Sequence, residues 1–434
     1  MNHMNLRSIT IFPLAVLGLY ACQSPSANNA AGQSDSMQKD QPDSGQKTRQ
    51  NIATNGQPEM PKGSFAYDQA FIHRHDSGSI VLTSGDSKII LSPKYQAKVF
   101  TSTASGDSGQ SFGWIHYKAF EGPEDAHMNA YGGENRLWLG PEGGKFSLFF
   151  PKGAKMEFTN WKTPAPFDTE PWQLTAKSMT GATLEKTMHL ANYAGEQLDL
   201  SITRNIQILT RGGIDSLLKL DTDRTVHAVG YRTENTLINT GNKPWTEATG
   251  MPCLWLLDMF NPSAATTIII PYRGHTTAKP ATTDYFGEIP ADRIRYQNNI
   301  LFFRADGKHR GKLGVHPQRA RPMAGSYDAV HGVLTVTLFD TDANAKFLNQ
   351  EWNTAKPPFS GDAVNAYNDG PLGDGSQMGP FYELESVSPA ALLGPGHSMV
   401  HRHSVFHFTG PEAALGRISQ RLWGLSLDTV KKVF

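Results

Sequence analysis

Three short stretches of this sequence carry the residue types that chemistry needs. Tyr131–Gly144 reads YGGENRLWLGPEGG, with Glu134, Asn135, Arg136, Trp138 and Glu142 set among five glycines. Such a set matches both surfaces of a sugar ring: Arg, Asn and Glu take hydroxyls in pairs, while an indole packs on the C–H face. The same residues also suit a glycine-rich strand connection in which Arg136 pairs with Glu134 or Glu142. The second stretch is Gly379–Ser388, GPFYELESVS. On a strand Glu383 and Glu385 share one face. They then either repel, which pushes one pKa towards the general-base range, or each finds a cation. Arg319 and Arg321 are candidate cations distant in sequence, and a solvent-facing strand edge is the plain alternative. The third is Met399–Phe408, MVHRHSVFHF, where His401, His403 and His407 fall on one face with Val405. An H-x-H pair can hold a metal, but no carboxylate stands at the usual spacing, so histidines that contact a ligand or line a polar strand face are expected and no metal.

Other patterns carry less. Asp340, Asp342, Asn344 and Glu351 mimic a calcium loop, yet Ala345 stands where the turn demands Gly and a strand-like run precedes it. Neither G-x-G-x-x-G nor G-x-x-x-x-G-K occurs in the Gly-rich stretch, so no nucleotide cofactor is implied. Cys253 sits in the apolar run MPCLWLLDMF and reads as a buried, inert thiol.

The elements that must position these residues are strands. With 41 Gly and 27 Pro in 434 residues, long uninterrupted helices are excluded and turn-punctuated strands are favoured. Leu198–Ile208 alternates apolar and polar residues, and Ser79–Ser92 places two apolar runs around Gly85-Asp86 as a hairpin. Further strands are expected at Phe112–Phe120, Lys145–Phe150, Thr266–Tyr272, Asn299–Arg304, Val333–Phe339, Phe381–Ser386 and Met399–Phe408. Lys356–Pro380 reads as a long loop, and Ile418, Leu422 and Leu425 as one face of a short C-terminal helix. No internal repeat is present, so the pattern is an all-β, large antiparallel β-sandwich over residues 61–434.

Lys+Arg 40 against Asp+Glu 40 argues against a nucleic-acid partner. Residues 1–21 hold Arg7 and the apolar run Ile9–Leu19, too short to span a bilayer but suited to a signal peptide. The run ends in Leu19-Tyr20-Ala21-Cys22, similar to a bacterial lipobox in which Cys22 takes the lipid and anchors the chain to a membrane. Residues 22–60 then read as a lipidated cysteine and a polar, disordered tether without aromatics. Gln23 rather than Asp after the cysteine resembles the Gram-negative sorting pattern that implies the outer membrane, though not which face.

Together these stretches resemble the galactose mutarotase-like (aldose 1-epimerase-like) superfamily, and more closely a group of bacterial envelope lipoproteins within it. Asn135-Arg136 in GGENRLW is similar to the early epimerase motif, YRTENTLINTGNKP to the mid-domain strand and turn, YELESV to the late strand with the general base, and LGPGHS to the turn before the final strand. The resemblance implies a supersandwich fold with a sugar groove, Arg136 on the sugar, and Glu385 as base with Glu383 as second choice. Asn135, Trp138, Glu134, His401 and His403 complete the expected carbohydrate-binding set. The sequence departs where epimerases carry a His acid: Gly250–Phe260 contains none, and Trp255 is its nearest bulky polar residue. His189, His331 or a histidine of the last strand are possible substitutes. Mutarotation or epimerisation of a sugar, glycan binding without turnover, and a polysaccharide lyase or hydrolase on the same scaffold all remain open.

Overall fold

Period-two patterns become strands wherever one side of the pattern has something to bury against. The computed structural model describes residues 60–274 and 279–434, so the leader, Cys22 and the tether up to residue 59 lie outside the described residues. Gln197–Ile208 sends Leu198, Leu200, Ile202, Arg204, Ile206 and Ile208 inward and its polar neighbours outward. It lies in a ten-stranded antiparallel sheet, whose order is Ile294–Gln297, Ile300–Arg304, Thr266–Pro271, Met323–Asp328, Val333–Phe339, Ser398–Thr409, His227–Asn239, Gln197–Ile208, Gly181–Ala191 and Gln173–Lys177. Facing it is a five-stranded antiparallel sheet in the order Gly311–Val315, Val364–Asn368, Tyr382–Val387, Cys253–Phe260 and Arg136–Gly140. A three-stranded sheet (Ile80–Ser84, Ser87–Ser92, Lys98–Thr103) continues the smaller layer through a bridge from Val99 to Asn135. Its first hairpin turns at Gly85, whose φ of 64° suits glycine.

The core lies between the layers, where Leu200 and Ile202 of the large sheet meet Leu254, Leu256 and Leu384 of the small one. The other side of the large sheet is covered by helices. Phe406 and Phe408 pack there against Leu415, Ile418 and Trp423 of Glu412–Trp423, each such side chain contributing about 1.5–3 kcal/mol of burial. The expected all-β sandwich with its C-terminal helix is therefore the observed fold. Among the described residues no helix is long and apolar enough to cross a membrane.

Three expected elements differ. Phe112–Phe120 forms single bridges at Gly113 and Ile115 followed by a 3₁₀ turn, Tyr117–Phe120. Lys145–Phe150 is not a strand, because a continuous apolar run can bury itself without pairing; Phe146, Leu148, Phe149 and Phe150 are buried in irregular backbone. Lys356–Pro380 is not one loop, since Val364–Asn368 is an interior strand of the small sheet. Its asparagines hide the apolar alternation of Val364 and Ala366.

Candidate functional site

Strand alternation sends Glu383 and Glu385 to the outer face of the five-stranded sheet and Leu384 and Ser386 to the core side. Antiparallel register then sets Glu385 between Asn365 and Leu257, with Arg136 beyond Leu257 on the edge strand. Arg136 Nη2 donates to Glu383 Oε1 at 2.6 Å, and its guanidinium lies 5.1 Å from the Trp138 ring centroid. Glu385 Oε2 accepts from Trp255 Nε1 at 2.8 Å and from Lys312 Nζ at 3.1 Å. Each carboxylate does find a cation, but the cations are Arg136 and Lys312; Arg319 packs over Tyr272 instead. Glu142 joins the cluster by accepting from Trp352 Nε1 at 3.1 Å, while its backbone N–H donates to Gln350 Oε1. Asp362 accepts from the Tyr285 hydroxyl at 2.6 Å. A Cβ at Gly314 would lie 2.0 Å from Asp362 Oδ2, so glycine there lets this carboxyl stand against the sheet.

The cluster holds more carboxyls than cations in a dry place, and burial makes three of its acids hold their protons to higher pH. Burial raises Glu383 to about 7, opposed by Arg136 and reinforced by Glu385. Burial also raises Glu142, and raises Asp362 to about 6. Burial disfavours the Lys312 ammonium, but Glu385, Glu142 and Glu383 outweigh it and hold the lysine above its ordinary value. Because the folded-state pKa of Glu383 exceeds its ordinary value of 4.5, the folded state holds this proton longer as pH rises. Its contribution to stability is full below about pH 4.5 and is lost as pH passes 7. Wild type is thus expected to lose on the order of 3 kcal/mol relative to Glu383→Gln between those values. Denaturant unfolding of both proteins across the range checks this, and parallel curves would refute it.

Glu385 Oε1, Asn365 Oδ1 and Arg136 Nε have no hydrogen-bond partner, although Glu385 is 1% exposed and Arg136 7%. Each such group costs about 1–3 kcal/mol when left unmade. Two acceptors and a donor in one row fit a ligand whose groups both donate and accept, as hydroxyls do. An aromatic cover flanks the row: Phe149 and Phe167 lie 5.4 and 6.5 Å from Trp138, and Trp161 stacks on Trp352.

The structure does not bring Glu134, Asn135, His401 and His403 to this face. Asn135 adjoins Arg136 and therefore points the other way, into the space between the sheets. There Asn135 Nδ2 donates to Asp258 Oδ1 at 2.6 Å, and the other Asp258 oxygen lies 2.7 Å from His403 Nε2. Ser386 Oγ lies 2.8 Å from His403 Nδ1 and 2.9 Å from His401 Nε2. Glu134 accepts from Ser102 at 2.7 Å and sits 3.2 Å from His407. Burial, with His403 adding, pushes His401 down to about 3, so that ring is neutral. His189 pairs with Asp199 and His331 with Asp328. Among the described residues no histidine therefore bonds Glu383 or Glu385, and Trp255 occupies the place beside Glu385. Cys253 is buried with its thiol pushed up to about 12, an inert setting. Asp340 pairs with Arg402, and Asp342 caps the Asn344 N–H.

Lys312, Asn365 and Asp362 were not legible as site residues. One signal for Lys312 existed: a lone charge inside the apolar strand GKLGV.

Similar solved structures include the Slr1438 protein from Synechocystis sp. PCC 6803, 13% identical over 77% of this chain and 96% of that one, with a TM-score of 0.48. A provisionally named aldose 1-epimerase from Escherichia coli K12 is 12% identical over 76% of this chain and 98% of its own, with a TM-score of 0.45. A galactose mutarotase-like protein from Lactobacillus casei ATCC 334 is 11% identical over 76% and 100%, with a TM-score of 0.44. No curated protein matches the chain. Residues 63–434, which contain the whole cluster around Glu385, match the model of a single family, and the chain belongs to that family, the family of unknown function DUF6786.

Proposed function

We propose that this protein binds a sugar over the row Arg136, Glu385 and Asn365 and moves protons at its anomeric centre. The unpartnered Glu385 Oε1 and Asn365 Oδ1, buried beside the unpartnered Arg136 Nε, carry this reading. Sugar hydroxyls donate to the two oxygens and accept from the guanidinium, with Trp138 and Trp255 as apolar walls. Glu385 Oε1 takes the proton of the C1 hydroxyl, and Glu383, raised to about 7 and so partly protonated near neutrality, supplies one to the ring oxygen. The C1–ring oxygen bond then opens to the aldehyde, and reclosure on its other face returns both protons and inverts the anomer. Glu383 here takes the acid role that the resemblance gives to a histidine. Entry of the sugar displaces part of the aromatic cover.

The test is NMR of freshly dissolved, anomerically pure glucose and galactose with the purified chain. Faster anomer equilibration is expected; an unchanged rate with both sugars overturns the catalytic part. Glycan binding without turnover is the second reading, favoured by the lack of a histidine at the carboxylates. A lyase is disfavoured because Tyr382, bonded to Ser326, and His401 lie on the core side of the strand that carries Glu385.

The leader and lipobox-like sequence support placement in the cell envelope through a lipid on Cys22. The full chain is expected in the membrane fraction and Cys22→Ser in the soluble one. Equal partitioning of the two would remove the anchor from this reading.

A further inference from the structure

A cavity of about 400 Å³ opens beyond the ends of the small sheet, apart from the Glu385 cluster, and is large enough for a glycosyl unit. Its floor is polar. Asp68, 1% exposed, accepts a 2.5 Å hydrogen bond from the Tyr117 hydroxyl, and Ser111 Oγ faces the same carboxylate without a well-formed hydrogen bond. Lys62 Nζ lies 4.0 Å from the Tyr117 ring centroid and offsets the acid, so the lining is close to neutral. Trp114 supplies an indole wall, and His331, half-exposed and held by Asp328 at 2.6 Å, stands at the lining of the same cavity. Carboxylate, hydroxyl and indole groups without excess charge suit a neutral polyhydroxylated ring better than a phosphate, a cation or a lipid chain.

The cavity is also linked to the site. Trp114 packs on Phe381 at 4.7 Å, Phe381 on Tyr367 at 5.6 Å, and Tyr367 stands opposite Glu383 in the sheet register. We infer that this cavity is a second glycosyl subsite and that the ligand of the protein is an oligosaccharide, one unit seated between Trp114 and Asp68. The inference rests on the sugar reading above.

Calorimetry and hydrogen exchange on the full chain with glucose, maltotetraose and cellotetraose test it. At least one tetrasaccharide is expected to bind tenfold or more tighter than glucose and to protect residues 62–68 and 111–117. Asp68→Asn and the surface variant His331→Ala should each lose that excess while leaving glucose equilibration unchanged. Tetrasaccharide binding without protection of these segments, wild-type affinity in both variants, or no binding of any of these sugars overturns the subsite. Protection of the cavity with no effect on glucose anomers would instead overturn the catalytic reading and leave the subsite standing. Glucose turnover with no cavity protection is the reverse case.

Discussion

Glu385→Gln is expected to slow anomer equilibration about 10²–10⁴-fold, the range for loss of a positioned general base, while leaving the protein folded. The amide can still accept from Trp255 Nε1, so the local hydrogen bond at 2.8 Å has a replacement acceptor. What disappears is the proton acceptor, together with the anionic partner of Lys312. The companion change Lys312→Met separates two roles. It keeps the Glu385 carboxylate but removes the ammonium whose charge lowers Glu383, so Glu383 holds its proton to higher pH and the residual activity should move the same way. NMR rates across pH for the three proteins decide the matter. Wild-type rates in Glu385→Gln remove Glu385 from the chemistry, and an unshifted profile in Lys312→Met makes that lysine structural only.

Arg204→Met carries the largest expected cost in stability, about 3–5 kcal/mol, because it leaves several buried acceptors unpaired. Arg204 has no exposed surface, and burial pulls it down to about 10. Its guanidinium donates to Ala97 O at 3.1 Å, to Asn235 Oδ1 at 2.8 Å and to Asn135 Oδ1. Methionine fills similar length but leaves those acceptors dry and unpaired. Relief from burying a charge offsets part of this, yet three orphaned oxygens outweigh it at about 1–3 kcal/mol each. Denaturant midpoints measure the loss, and a midpoint equal to wild type would refute it. Because Asn135 immediately precedes Arg136 and Asp258 immediately follows Leu257, the same variant should also weaken sugar binding by loosening the row from behind.

This arrangement explains what could be read in advance. A strand with one polar and one apolar side was legible, Gln197–Ile208 above all, because alternation is a local property that survives without knowledge of partners. The shared face of Glu383 and Glu385 followed from the same rule. Local pattern also placed His401 and His403 on one face, but not which layer that face meets. Only the packing of the two sheets turned it inward, onto Ser386 and Asp258, and made it a frame behind the site.

The sequence by itself determined the strand pattern, the shared face of Glu383 and Glu385, and the grouping of Arg136 with Trp138 in one short stretch, since each depends on neighbours within a few residues; that Arg136 meets Glu383 was decided by the sheet. Tertiary structure alone decided the cation beside Glu385, the aromatic cover and the separation of Asn135 from Arg136 into opposite faces. Lys312 and Glu385 are distant in the chain and meet only because Val364–Asn368 lies between their strands. No local pattern encodes that meeting; it is set by strand order and register, which the burial of whole sheets selects.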